Sequence, residues 1–160
     1  MTIGDKTVSI HDIMRPAVIV HENDRLVDIL EKMIGEKRNS LVVVDDGGKL
    51  VGMIGAIDLI KAVLPEYIED DVIAAHFADQ TLLGEDAQRA QNTPAREFMT
   101  KDAPTIKETS SVLEAAANAI QSGHGRITVV DDEHKPVGII TRTEIKQVIG
   151  SLLGVKGAFE

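Results

Sequence analysis

Two adjacent carboxylates, Asp45-Asp46, recur as Asp131-Asp132. Paired carboxylates can share a proton or hold a cation, so both pairs are candidates for acid–base or metal chemistry. Each pair also ends a run of valines and leads into a turn, where Asp is favoured because its side chain bonds the backbone. The turn reading is preferred. Glu69, Asp70 and Asp71 with His76 and Asp79 could ligate a metal, but they fit better as the polar face of a helix. The five histidines lack H-x-x-x-H spacing, no Ser/His/Asp set stands out, and no G-x-x-x-x-G-K-[ST] loop occurs. The stretch "GMIGAID" lacks the G-x-G-x-x-G spacing of a dinucleotide turn. No catalytic or metal-binding residue is assigned, and the expectation is a protein that is not an enzyme.

Composition narrows the classes further. The 160 residues carry a formal net charge of −9, with 43% hydrophobic and only 2% aromatic residues. That charge opposes binding to nucleic acid or an anionic membrane, though a local group of cations could still hold a small phosphate. Too few aromatics are present for base stacking on aromatic platforms. The absence of cysteine removes disulfides, thiolate nucleophiles and Cys-bound zinc. No apolar run reaches the length of a membrane span, and the start "MTIGDKTVSI" lacks a signal-peptide pattern. A cytoplasmic protein with neither nucleic-acid nor membrane partners is expected.

The elements that position any site come in duplicate. A shift of 86 residues superposes positions 20–60 on 106–146 without a gap, and about ten positions are then identical, a sign of internal repetition. Among them are Val43/Val129, Asp45/Asp131, Gly52/Gly138 and Ile54/Ile140. "DIM" (12–14) and "EFM" (97–99) match with one residue of slip. Each copy reads β-α-β-β-α: a short apolar run (17–20; 104–106), an amphipathic helix, two β-rich runs split by a turn, and a closing helix. Ser111 and Glu114 have capping-box spacing; Asn23 and Asp24 take that place in the first copy. Gly35 and Gly123 stand where the helices should stop. Between the copies, 66–78 reads as helical and 84–94 as loop. The predicted fold is α/β (α+β), with a first repeat at 8–63, a partly helical insertion at 64–93 and a second repeat at 94–150. Two such repeats packed about a pseudo-two-fold axis would share one core.

The order of "R-I-T-V-V-D" followed by "G-I-I-T-R-T-E", with "S-L-V-V-V-D" and "G-M-I-G-A-I-D" in the first copy, resembles the cystathionine-β-synthase (CBS) domain in a tandem pair, or Bateman module. The resemblance implies a regulatory, energy-sensing module that needs no cofactor. Its ligand would be an adenine nucleotide (AMP, ADP or ATP) or S-adenosylmethionine, held in the cleft between the repeats. It also implies a homodimer and a regulated protein partner. The Thr/Ser and Asp after the last strand would hold ribose and phosphate, since a carboxylate can accept from two adjacent hydroxyls. Apolar strand residues, here Val20, Met53, Ile106 and Ile139, would enclose the adenine.

Neither copy keeps the full Thr/Asp pair. The first has Gly55 and Asp58, the second Thr141 and Glu144. The Thr141/Glu144 cleft is expected to be the better nucleotide site, with Arg126 and Arg142 near the phosphates. His124, Lys37 and Arg38 are further nearby cations, with a solvated-surface reading open for Lys37, Arg38 and Arg142. The incomplete pairs leave a second reading open: a ligand-free dimerisation or interaction scaffold.

Overall fold

The computed structural model describes residues 2–3, 6–64, 73, 76, 80–123 and 125–158. In chain order the elements are β1 (Thr2–Ile3), β2 (Lys6–Thr7), α1 (Ile10–Ile13), β3 (Ile19–His21), α2 (Leu26–Gly35), β4 (Ser40–Val44), β5 (Leu50–Gly55), α3 (Ala56–Val63), α4 (Gln80–Ala90), α5 (Ala95–Phe98), β6 (Thr105–Lys107), α6 (Val112–Ser122), β7 (Arg126–Val130), β8 (Pro136–Thr141) and α7 (Arg142–Leu152). The chain divides into two compact units: 1–17, 48–50 and 102–160 form one, and 18–47 with 51–101 form the other. We call them the second-copy and first-copy units.

In the first-copy unit the sheet order is β3-β4-β5, and β3 runs parallel to β4 with Ile19, Val20 and His21 opposite Val42, Val43 and Val44. A parallel pair needs a crossover, and α2 provides it. Alternation along the strands sends Val20, Leu41, Val43 and Ile54 to the helix side, where they cluster with Leu26, Ile29, Met33 and Leu59. Ile29, Leu41 and Ile54 are fully buried, and each contributes on the order of 2 kcal/mol relative to exposure. Val42, Val44 and Met53 are also buried but lie outside that cluster, on the opposite face.

The second-copy unit repeats this plan, with order β6-β7-β8, β6 parallel and β8 antiparallel to β7. Ile106, Ile127, Val129 and Ile140 join Val112, Ala115 and Val148 on the helix side. Thr128 faces the other way, opposite Ile139 and Thr105. Its Oγ1 is buried without a hydrogen-bond partner. An unsatisfied buried hydroxyl costs more than the lost bond, so replacement by an apolar isostere is favourable. Thr128→Val should raise unfolding free energy by about 1 kcal/mol in urea melts; a decrease would mean the hydroxyl has an acceptor.

Each unit borrows a short segment from upstream of the other copy. In the second-copy unit, α1 buries Ile10 and Ile13 in the core, and Arg15 exchanges two 2.9 Å backbone hydrogen bonds with Ile139. In the first-copy unit, α5 buries Ala95, and Thr100 exchanges backbone bonds of 2.8 and 2.9 Å with Met53. The Asp12 carboxylate caps α1 and is held below its usual range, first by the Ser9 N–H and then by the Ser9 hydroxyl. Glycine permits both docked segments. A Cβ on Gly138 would lie 3.0 Å from the Arg15 carbonyl oxygen, and one on Gly52 3.0 Å from that of Thr100.

Three local expectations are corrected. Residues 84–94 are not all loop, because α4 runs from Gln80 to Ala90. Glu, Ala, Gln and Arg are good helix formers and outweigh the single Gly84. The expected helix at 66–78 falls almost wholly outside the described residues. The cap of α2 is Arg25 rather than Asn23 or Asp24, since Asp24 instead accepts a 2.8 Å bond from the His21 N–H. Gly123 takes the left-handed cap of α6 as expected, but Gly35 is still helical and Lys37 adopts positive φ in its stead.

Candidate functional site

The duplicated carboxylates occupy the third residue of the helix that follows each last strand. Asp58 in α3 accepts from the Gly55 N–H at 2.7 Å through Oδ2, and from the Thr100 hydroxyl at 2.8 Å through Oδ1. Glu144 in α7 accepts from the Thr141 N–H at 2.8 Å and the Thr141 hydroxyl at 2.6 Å, both through Oε2. Its Oε1 lies 3.6 Å from Arg15 Nε. Both carboxylates thus cap their own helix, as an acid at this position does. Thr141 adds a bond to the Thr143 N–H through Oγ1 at 3.2 Å.

The two carboxylates differ in access. Glu144 is 3% exposed, while Asp58 is partly buried. The extra methylene folds Glu144 back onto the Thr141 hydroxyl, a group that Gly55 lacks. The first copy therefore has the more open carboxylate of the two.

The other expected site residues separate by strand face. Met53 and Ile139 are buried on the face away from the helices, 4% and 2% exposed. Val20 and Ile106 belong to the helix-side cores, so their side chains pack helices. Their neighbours Ile19 and Thr105 occupy the face away from the helices. A one-residue change of parity moves a side chain to the other face, and three-residue strands gave the alternation little room to declare itself. Arg126 opposes Thr141 across β7 and β8. The Arg142 side chain runs along Gly125, which has a φ of +61°. Lys37 and Arg38 lie between α2 and β4, and His124 falls outside the described residues. Arg15 and Thr100 were missed, although the matching "M-R" and "M-T" after the slipped methionines mark them as equivalents.

Asp45 and Asp131 are turn residues: Asp45 Oδ1 accepts from Gly47 N–H at 2.9 Å, and Asp131 Oδ1 from Glu133 and Lys135 N–H at 2.9 Å each. Asp46 pairs with His21 at 2.7 Å and Asp132 with Lys107 at 3.4 Å. Among the described residues, no three His, Asp or Glu side chains gather as a metal site. Residues 69–71 and Asp79 lie outside that set. No described helix is long and apolar enough to cross a membrane.

Two strand–helix–strand–strand–helix copies, each with a carboxylate that caps its closing helix, define a tandem α+β repeat module. The chain belongs to the CBS domain family, whose model matches residues 10–65 and 95–151. It is 27% identical over 160 residues to an uncharacterized protein of Methanocaldococcus jannaschii, covering 93% of this chain and 95% of that one. It is also 27% identical to L-aspartate semialdehyde sulfurtransferase of the same organism, covering 85% of this chain but only 22% of that enzyme. Among solved structures, the CBS domain pair of protein MJ0100, in complex with 5′-methylthioadenosine and S-adenosyl-L-methionine, has a TM-score of 0.67 at 26% identity. That match covers 89% of this chain and 100% of the other. A tandem CBS pair is the fold of this protein.

Proposed function

We propose that this chain is a regulatory module that binds an adenosine-containing ligand, AMP, ADP, ATP or S-adenosylmethionine, and signals to a partner through a change in conformation or packing. The observation that carries the reading is a duplicated carboxylate linked through the docked segment to a buried apolar strand residue: Asp58 through Thr100 to Met53, and Glu144 through Arg15 to Ile139. A carboxylate suits two vicinal ribose hydroxyls, and an apolar strand face suits a purine. The adenosine derivatives held by the MJ0100 pair support the same ligand class. A ligand shifts the module only by its difference in affinity for two states. The partner would read that shift.

Calorimetric titration with AMP, ATP and S-adenosylmethionine tests the reading. At least one should bind, and Asp58→Ala should weaken binding of a ligand at that site about tenfold, the worth of one charge-assisted bond. The absence of both heat and thermal shift with all three would sink it. The module is also proposed to act as a homodimer. Leu113 and Ile120 on α6 and Ile149 and Leu152 on α7 are exposed, and apolar helix faces favour self-association. Sedimentation should give twice the chain mass.

A second reading is a ligand-free scaffold. It draws on the internal bonds that already occupy Asp58 and Glu144. Silence in every titration together with an intact dimer would favour it.

A further inference from the structure

Helix α2 does not supply its own cap. Arg25 stands at the cap position, and its side chain bonds none of the orphan N–H groups. The first two helical N–H groups, on Leu26 and Val27, donate instead to the carbonyl oxygens of Thr93 at 2.9 Å and Gln91 at 3.1 Å. The Arg25 guanidinium adds a 3.1 Å bond to the Asn92 side chain. The first N–H groups of a helix have no partner inside it, so α2 depends on the segment that provides those carbonyls. The equivalent helix α6 has no such need, because Ser111 and Glu114 cap it reciprocally, at 3.1 and 2.9 Å.

The segment that caps α2 reaches the first-copy carboxylate at its other end. The Thr100 hydroxyl donates to Asp58 Oδ1 at 2.8 Å, and the Thr100 backbone pairs with Met53. Little slack lies between the two ends. The Thr93 N–H donates to the Ala90 carbonyl at 3.0 Å and so ties the segment to α4. The Ala95 and Arg96 N–H groups donate to the Asp24 and Glu22 carbonyls at 2.9 and 3.0 Å, and Ala95 is fully buried. The Met99 N–H closes the short α5 on the Ala95 carbonyl at 2.9 Å. A short element bonded along its whole length moves as one piece, and contiguous networks of this kind carry coupling. Asp58 Oδ2 already accepts from the Gly55 N–H. A ligand hydroxyl that approaches this carboxylate therefore meets the Thr100 hydroxyl at the other oxygen.

We infer that residues 91–100 form a strap that links occupation of Asp58 to the start of α2. Thr100 is the positioning residue. It holds the Asp58 carboxylate, and a ligand that takes the carboxylate displaces its hydroxyl. The strap then shifts as a piece, and the Leu26 and Val27 N–H groups lose their acceptors. A ligand acts on an equilibrium only through contacts that differ between the two states; here that contact is the Thr100–Asp58 bond. Because α4 ends on the strap, the insertion moves with it. The ligand end rests on the adenosine reading, whereas the link between Thr100 and α2 stands without it.

Amide exchange of the full chain, resolved by residue in NMR spectra, tests the strap. Thr100→Val removes the hydroxyl and keeps the shape. It should speed exchange at Leu26 and Val27 about fivefold, the factor that one hydrogen bond is worth. Exchange at Leu41 and Val43 in the same core, and at Val112 and Leu113 in the self-capped α6, should match the parent. Thr100→Ser, which keeps the hydroxyl, should restore the parent rates. Saturating adenosine should speed the same two amides in the parent and add nothing in Thr100→Val. Unchanged rates at Leu26 and Val27 in Thr100→Val overturn the strap, and so do equal rates in the valine and serine variants. Acceleration spread evenly over all six amides is general loosening and also overturns it. Adenosine binding that Asp58→Asn weakens, with the two amides unmoved, overturns it from the ligand side. Faster exchange in Thr100→Val, with no adenosine binding that depends on Asp58, keeps the strap while the adenosine reading of this carboxylate fails. Circular dichroism shows whether Thr100→Val is folded. If it is not, Asp58→Asn, which weakens the acceptor by removing its charge, should speed the same two amides, and unchanged rates there overturn the proposal.

Discussion

Gly138→Val should destabilise the protein by about 3 kcal/mol, the upper range for overpacking a closed contact. A Cβ at Gly138 would come within 2.5 Å of Met14 Sδ and 3.0 Å of the Arg15 carbonyl oxygen. The methionine could move, because its thioether chain is flexible. The carbonyl could not, because it accepts from the Ile139 N–H at 2.9 Å in a bridge whose partner bond is equally short. Relief therefore requires the docked segment to lift, exposing Ile10 and Ile13, which are 0% and 4% exposed. Urea denaturation measures the cost, and amide exchange at 10–15 should accelerate before the strands do. Gly52→Val should behave alike, through Met99 and Thr100 in the other unit. A change below about 0.5 kcal/mol in both variants, the scale of an ordinary surface substitution, would show that the segments are not docked as described.

Glu144→Ala should cost a similar amount, about 3 kcal/mol, by a different route. The carboxylate is 3% exposed and accepts both the N–H and the hydroxyl of Thr141. Removing it strands a helix-capping N–H, releases the hydroxyl and leaves Arg15 without the carboxylate 3.6 Å away. Loss of a cap costs about 1 kcal/mol, and loss of a hydrogen bond to a charged acceptor about 2 more. Glu144→Asp should recover most of this, because Asp58 makes the corresponding N–H bond in the first copy at 2.7 Å. Denaturant melts of the two variants settle the comparison. A loss under about 1 kcal/mol for the alanine variant, less than one such bond, would mean that Glu144 is spare for a ligand in the unliganded protein.

The repeat and its element order were legible because they rest on many weak signals that agree. Ten-residue amphipathic patterns, Val-rich strands and the Ser111–Glu114 capping box all pointed one way. What escaped depends on single residues or on pairing across the chain. Val20 and Ile106 sit in strands of three residues, too short for parity to decide between two apolar neighbours. The slip that aligned Met14 with Met99 was visible, but nothing in a linear pattern says that Arg15 meets Glu144 while Thr100 meets Asp58. The 3.6 Å and 2.8 Å contacts follow from which sheet each segment joins. Burial of Glu144 was equally hidden, since one extra methylene suggests longer reach, whereas the side chain folds back on Thr141.

The borrowed segments also set an order on the protein's birth at the ribosome. Residues 18–47 and 51–101 are complete once Lys101 has emerged, so that half can close before the strands of the second copy are made. Ile10, Ile13 and Arg15 are made more than a hundred residues before the strand that carries Ile139. Residues 10–15 must wait, apolar side chains uncovered, until β8 has emerged, and the nascent chain is open to misassociation over that interval.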